Sequence, residues 1–163
     1  MNDLAVEALG GAVPAAELAP GLRALVAAGL ARRGEGLVFA DRDDAVPRDG
    51  ADLTGWECSV NAFHLDAVVP VRVGRSADGE PVIGEADQVL MLRHGWGFAL
   101  EVVRLVRELA GPVPVRCIVG ANSTNGTFRF HRVRPGESWL GPDLDAYSSE
   151  KLIVVDHGSP RLR

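Results

Sequence analysis

Cysteine and lysine are both scarce in this chain. Cys58 and Cys117 are the only cysteines, and among 17 basic residues only Lys151 is a lysine. The two cysteines sit in apolar, strand-like runs, WECSV and VRCIV, which predicts reduced core residues rather than a disulfide framework or a low-pKa thiol. The lysine deficit, with abundant Ala, Gly, Val and Pro, reflects a GC-rich coding bias and points to no mechanism. No apolar run approaches the ~18 residues that span a bilayer. The N-terminus lacks the basic start and long apolar core of a secretory signal. The expectation is a cytoplasmic protein with no membrane segment, in which the NST and NGT sequons at Asn122 and Asn125 carry no meaning.

Catalytic signatures are missing as well. There is no lysine-containing phosphate loop, no G-x-G-x-x-G after a strand, no H-E-x-x-H and no C-x-x-C. His64, His94, His131 and His157 stand far apart in sequence, so no metal site is expected and no cofactor is implied. Ser123 and Ser159 lie in loops without a nucleophile elbow. The expectation is therefore no catalytic residue.

What is present fits a soluble globular chain of 163 residues, 47% hydrophobic and 24% charged. That length suits one domain, or one with a small appendage, and buries about 70% of its unfolded surface without staples. The net charge of −5 disfavours nucleic acid and anionic membranes and suits a basic protein partner.

Residues 1–45 read as a small helical unit. DLAVEAL forms one helix ended by Gly10-Gly11, PAAELAP starts a second at Pro14, and PGLRALVAAGLARRG forms a third. The hairpin pattern GLARRGEGLVFA follows, with EGLVFADRDD as a strand, an arrangement that resembles a winged helix. The third helix is nearly all apolar, however, and residues 1–50 carry five arginines against eight acidic residues. Neither property suits contact with base edges or phosphates.

After a turn-rich connector at 45–55, the body over 56–160 begins with WECSVNAFHL, read as a strand. VVPVRVG and EPVIGE form a hairpin around Asp78-Gly79. The clearest helix is Gly95 to Ala110, with Phe98, Val102, Leu105, Val106 and Leu109 on one face and Glu101, Arg104 and Glu108 on the other. VPVRCIVGA and TFRFHRVR form a second hairpin, in which Asn125-Gly126 supplies the positive backbone angles of a tight turn. GPDLDAY reads as a short helical turn and KLIVVD as a strand inside the sheet. The fold class is α+β: a mixed or antiparallel sheet packed on one long helix, with the small winged-helix-like unit at the N-terminus.

The densest chemistry lies in TFRFHRVRPGESW, residues 127–139. Strand alternation puts Phe128 and Phe130 toward the core and Arg129 and His131 on the opposite face. Arg132 and Arg134 stand at the strand end, where Glu137 is close enough to pair with either, while Trp139 and Leu140 cap the core. Arginine and tryptophan are the residues most enriched at binding hot spots. A second polar island holds Asn61 and His64 inside an apolar run. A third, LRHGWGF, places Arg93, His94 and the Gly95 and Gly97 amides at the expected helix start, a geometry open to anions, the alternative being glycines that allow close packing of Trp96 and Phe98.

The order of these stretches, VNAFHL, a middle helix, FRFHRVRPGESWL and DLDAYSSEKLIVVD, resembles the small bacterial immunity proteins that accompany secreted polymorphic toxins. The resemblance covers Glu57 to Asp156. It implies a non-catalytic cytosolic α+β domain that plugs a toxin's active site, and it transfers no individual contact. The expected function is thus a soluble protein-binding domain, an immunity-type inhibitor of a toxin, with Arg129, His131, Arg132, Arg134, Glu137, Trp139, Asn61 and His64 as its contact residues. The alternatives are a small enzyme or ligand-binding protein with an Arg/His anion pocket, and a winged-helix transcriptional regulator.

Overall fold

The stretch read as a strand from Trp56 is mostly a helix. In the computed structural model, which describes residues 1–42, 46, 47, 50 and 52–158, helix α3 runs Leu53–Val60 and only Phe63–His64 form a strand, β3. Asp52 caps α3, its side chain accepting from the Gly55 amide at 3.1 Å. Thr54, Glu57, Cys58 and Asn61 are buried, a spacing of three and four that belongs to a helix face. β-branched and aromatic content therefore misled the strand reading, because the buried stripe has helical period.

Helix α1 (Asp3–Leu9) forms as expected, with Asn2 as its cap. Helix α2 (Pro20–Ala28) carries proline in its first turn, and strands β1 (Leu30–Arg33) and β2 (Gly36–Phe39) make the expected hairpin. The expected helix from Pro14 is absent. Residues 13–19 instead lie along α4, where the Ala15 amide donates to the Arg93 carbonyl at 2.9 Å and Arg93 Nε donates to the Val13 carbonyl at 2.9 Å. Strands β4 (Val73–Arg75) and β5 (Pro81–Ile83) form a two-stranded ribbon around Gly79, whose positive φ the turn requires. Parts of the expected connector (45, 48, 49 and 51), of the expected strand EGLVFADRDD (43–44), and Ser159 lie outside the described residues.

Helix α4 spans Glu85–Glu108, beginning ten residues before the expected start. Its 24 residues give a length of about 36 Å. Gly95 and Gly97 are thus mid-helix, and the amides expected to meet an anion are bonded within the helix. The glycines serve close packing instead: a β-carbon on Gly97 would stand 2.6 Å from the Ala15 carbonyl oxygen, and one on Gly95 would strike Val119.

The main sheet holds β3, β7 (Gly126–Arg132), β6 (Val115–Ala121) and β8 (Lys151–His157) in that order, all antiparallel. The architecture is α+β with antiparallel sheets. KLIVVD forms an outer strand, not an inner one, since β8 pairs only with β6 and its far side meets Asn2 at Leu152. The β6–β7 turn uses no positive φ at Asn125 or Gly126. The Asn122 side chain holds it, accepting from the Thr124 amide at 2.8 Å and the Asn125 amide at 3.0 Å. Gly126 leaves room: a β-carbon there would stand 2.6 Å from Met91 Sδ. GPDLDAY forms turns rather than a helix.

The core lies between α4 and one sheet face. All five phenylalanines meet there, with Phe98 and Phe128 ring centroids 4.8 Å apart and Phe39 and Phe130 at 5.0 Å, both edge-on. Ala5, Leu9, Leu22, Leu37 and Phe39 of the first 45 residues belong to the same buried cluster as α4 and the sheet. Among the described residues, no helix is long and apolar enough to cross a membrane.

Alanine at Gly97 gains about 1 kcal/mol of helix propensity, yet it must displace a hydrogen-bonded backbone segment, and such overpacking costs about 1–3 kcal/mol. We expect Gly97→Ala to lose up to about 2 kcal/mol in urea unfolding. A gain in stability would show that residues 13–19 yield freely.

Candidate functional site

Strand β3 pairs only with Phe128 and Thr127 of β7, so the rest of that edge needs other partners. Helix α3 and its C-cap residue supply them through two side chains one turn apart. Asn61 Nδ2 donates to the Phe130 carbonyl at 3.2 Å and to the Leu37 carbonyl at 2.9 Å, and its Oδ1 accepts from the Phe39 amide at 3.1 Å. Glu57 accepts from the Leu37 amide at 2.8 Å and the Arg132 amide at 2.9 Å. The two side chains replace a missing strand between β2 and β7, satisfying backbone groups on both.

The Glu57 carboxylate is fully buried and is met by Arg134, whose two terminal nitrogens lie 2.7 and 3.0 Å from its oxygens. This pairing corrects the expectation that Arg134 or Arg132 binds Glu137. The Glu137 carboxylate accepts from the Thr54 hydroxyl at 2.5 Å, and Arg132 reaches the Glu35 carbonyl, with the Glu35 carboxylate 3.7 Å away. Arg132, Arg134, Glu137 and Asn61 are thus joined to the fold's own groups.

His131 does face away from Phe128 and Phe130, but it is only 1% exposed. Its Nδ1 lies 2.8 Å from the Arg132 carbonyl, and among the described residues Nε2 has no hydrogen-bond partner. Burial lowers its pKa; the Arg132 carbonyl and Glu57 oppose that effect, and Arg116 and Arg134 reinforce it. The buried ring is therefore a neutral donor to a carbonyl. His64 shares the outer face, registered to Thr127, and its side chain is exposed with Asp66 3.7 Å away. A hollow on this face is lined by Arg129 but by neither His131 nor His64. Cys58 and Cys117 are buried free thiols, and burial raises the Cys58 pKa to about 12.

Arg129 and Trp139 do come together. Residues 133–150 fold back over the outer sheet face, where Ile118, Leu140 and Leu152 form a second apolar cluster with Leu144, Tyr147 and Val154. Asn2 secures this strap, its Nδ2 donating to the Glu150 carbonyl at 2.7 Å. Trp139 does not cap the core as expected; it is 41% exposed and lies under the Arg129 guanidinium, 5.2 Å from carbon to ring centroid. Arg129 makes no ion pair or hydrogen bond among the described residues. Arg129 and Trp139 form one wall of a hollow of about 260 Å³, with Thr127, Tyr147 and Glu150 around it. Burial raises the Glu150 pKa, and Arg129 opposes the rise.

A larger hollow of about 420 Å³ lies between α2, α4 and residues 15–18. Its rim charges are already matched, Arg23 with Glu17 at 3.3 Å and Glu101 with Arg104 at 2.8 Å. Among the described residues, no group of three or more His, Cys, Asp or Glu gathers to hold a metal ion.

Glu57, Tyr147 and Glu150 are not among the site residues expected from the sequence. A signal existed for Glu57, a charge four residues before Asn61 in an apolar run. None existed for Glu150, which reaches the hollow only because the strap crosses the sheet. Comparisons with models of known protein families, with curated proteins and with solved structures find no match.

Two outcomes follow. Arg134→Ala leaves a buried carboxylate uncompensated and should cost about 3–5 kcal/mol in denaturant unfolding, whereas Arg129→Ala, which loses a stack on an exposed indole, should cost about 1 kcal/mol or less. Separately, His131 has a folded pKa below the ~6.5 of an unfolded chain. The unfolded chain takes the proton first, so stability falls as pH drops below about 6.5. His131→Asn, which keeps a donor for the Arg132 carbonyl, should lose less stability than the parent between pH 7 and 5.5.

Proposed function

We propose that this chain is a non-catalytic protein-binding domain, an immunity-type inhibitor of a toxin domain, with the Arg129–Trp139 pair at the centre of its contact surface. One observation carries the reading. Of the arginines in the dense segment, Arg132 and Arg134 are engaged by the fold, while Arg129 is held on an exposed indole and makes no ion pair or hydrogen bond among the described residues. A guanidinium and a tryptophan presented together combine apolar area with directional donors, the makeup of a binding hot spot. Stacking fixes the arginine beforehand, so less rotamer freedom is lost on contact. The net charge of −5 favours fast association with a basic partner.

The contact set is narrower than the sequence suggested. It keeps Arg129 and Trp139, with the exposed His64 on the same face, and assigns Asn61, His131, Arg132, Arg134 and Glu137 to the framework that supports it.

Titration calorimetry against a candidate toxin effector domain tests the proposal. The expected result is a one-to-one complex that blocks the effector's activity. Arg129→Ala and Trp139→Ala should each weaken it by about 30-fold or more, the scale of a hot-spot residue. Absence of a complex sinks the inhibitor reading, and a complex that neither variant weakens sinks this surface.

A further inference from the structure

We infer that the hollow on the outer sheet face is a binding site for a small zwitterion, the ammonium–carboxylate head of a free α-amino acid. Arg129 would meet the carboxylate and Glu150 the ammonium. The inference goes beyond the proposed inhibitor role and rests on the hollow alone.

The first support is a contrast in how this face treats its charges. At one end of the sheet, Arg116 and Asp156 join across β6 and β8 through two hydrogen bonds of 2.7 and 2.8 Å. Beside β7, Glu57 and Arg134 do the same. Arg129 and Glu150 line one hollow, near enough to influence each other electrostatically, yet they form no ion pair. A partly buried carboxylate and guanidinium left unjoined cost stability, and folds carry such costs chiefly at sites of function. Each charge is left for an opposite charge on a ligand.

The second support is that the site is built. Trp139 holds the guanidinium from one side. The Glu150 backbone is fixed at both ends, its carbonyl accepting from Asn2 Nδ2 at 2.7 Å and its amide donating to the Tyr147 carbonyl at 3.3 Å. Its carboxylate rests over Gly120 of β6, where any β-carbon would collide with Glu150 Oε1; Thr127 Oγ1 lies 3.1 Å from that same point. The absent side chain at residue 120 is what leaves room for the acid and a hydroxyl together. The Tyr147 hydroxyl accepts from the Gly141 amide at 3.0 Å, which leaves its own proton free to donate.

Size sets the ligand class. About 260 Å³ falls below the roughly 300–1,000 Å³ of drug and cofactor pockets. A nucleotide is too large, and a single amino acid is the right scale. The floor of Ile118, Leu140 and Leu152 is buried and apolar, suited to a short aliphatic side chain. A bare carboxylate would satisfy Arg129 but face Glu150, and a bare amine the reverse. Only a head group with both charges meets both walls.

The test uses the full chain with L-alanine and L-valine as probes, following the Trp139 indole resonance and the thermal midpoint. For so few atoms, saturable binding with Kd of about a millimolar is expected. Propionate, ethylammonium, N-acetyl-alanine and alanine methyl ester, each lacking one charge, should bind at least tenfold more weakly. Arg129→Ala and Glu150→Gln should each reduce alanine binding at least tenfold while keeping a cooperative unfolding transition. Glu150→Gln should also unfold at a higher temperature than the parent at pH 7, because it removes a desolvated carboxylate that no hydrogen bond or ion pair among the described residues satisfies. That gain should vanish as pH falls and the parent carboxyl takes up its proton. No saturable response at tens of millimolar, or propionate binding as tightly as alanine, overturns the inference. Either result leaves the protein-binding role standing, since that role is tested on the effector domain.

Discussion

The fold depends on two buried side chains, one in α3 and one at its C-cap, that stand where a strand would otherwise be. Glu57 and Asn61 join the β1–β2 hairpin to the part of the β7 edge that β3 leaves unpaired, satisfying the Leu37, Phe39 and Arg132 amides and the Leu37 and Phe130 carbonyls. Buried backbone groups without partners cost free energy, so this edge could not close against the hairpin without them. Glu57 brings a charge into the core in doing so. Arg134 balances that charge with two short hydrogen bonds, which makes the pair worth keeping despite its desolvation.

This constraint divides the chemically dense segment 127–139. Its first half is committed by the sheet: Phe128 and Phe130 join the phenylalanine cluster, and His131 is sealed on the other face. Its end is committed by α3, through Arg132, Arg134 and Glu137. Among its arginines, its histidine and its glutamate, Arg129, at mid-strand, is the one that escapes both. The strap of residues 133–150 turns across the outer face and brings Trp139 beneath it. The accessible chemistry of the protein is therefore what the closing of the β7 edge left unused.

Much of this architecture was legible in the sequence. The β4–β5 and β6–β7 hairpins, the C-terminal half of α4 and the inward phenylalanines followed from periodicity and turn residues, which are local properties. Misreadings arose where a residue type has two uses. Gly95 and Gly97 read as a helix start, because glycine is a poor helix former; they lie mid-helix because Ala15 and Val119 press against the helix there. WECSVNAFHL read as a strand from its residue types, yet burying Glu57 and Asn61 together requires them one helical turn apart. Trp139 read as a core cap, yet it stacks under Arg129 at the surface.

By itself, the sequence determined the α+β class, the antiparallel hairpins and the two faces of β7. Each follows from side-chain alternation and turn chemistry within a dozen residues. The tertiary structure alone decided which charges pair. Glu57 meets Arg134 across 77 positions, and Arg129 is left facing Glu150. Ion pairing depends on distance and desolvation, and both are set only when α3 closes the sheet edge and the strap crosses its outer face.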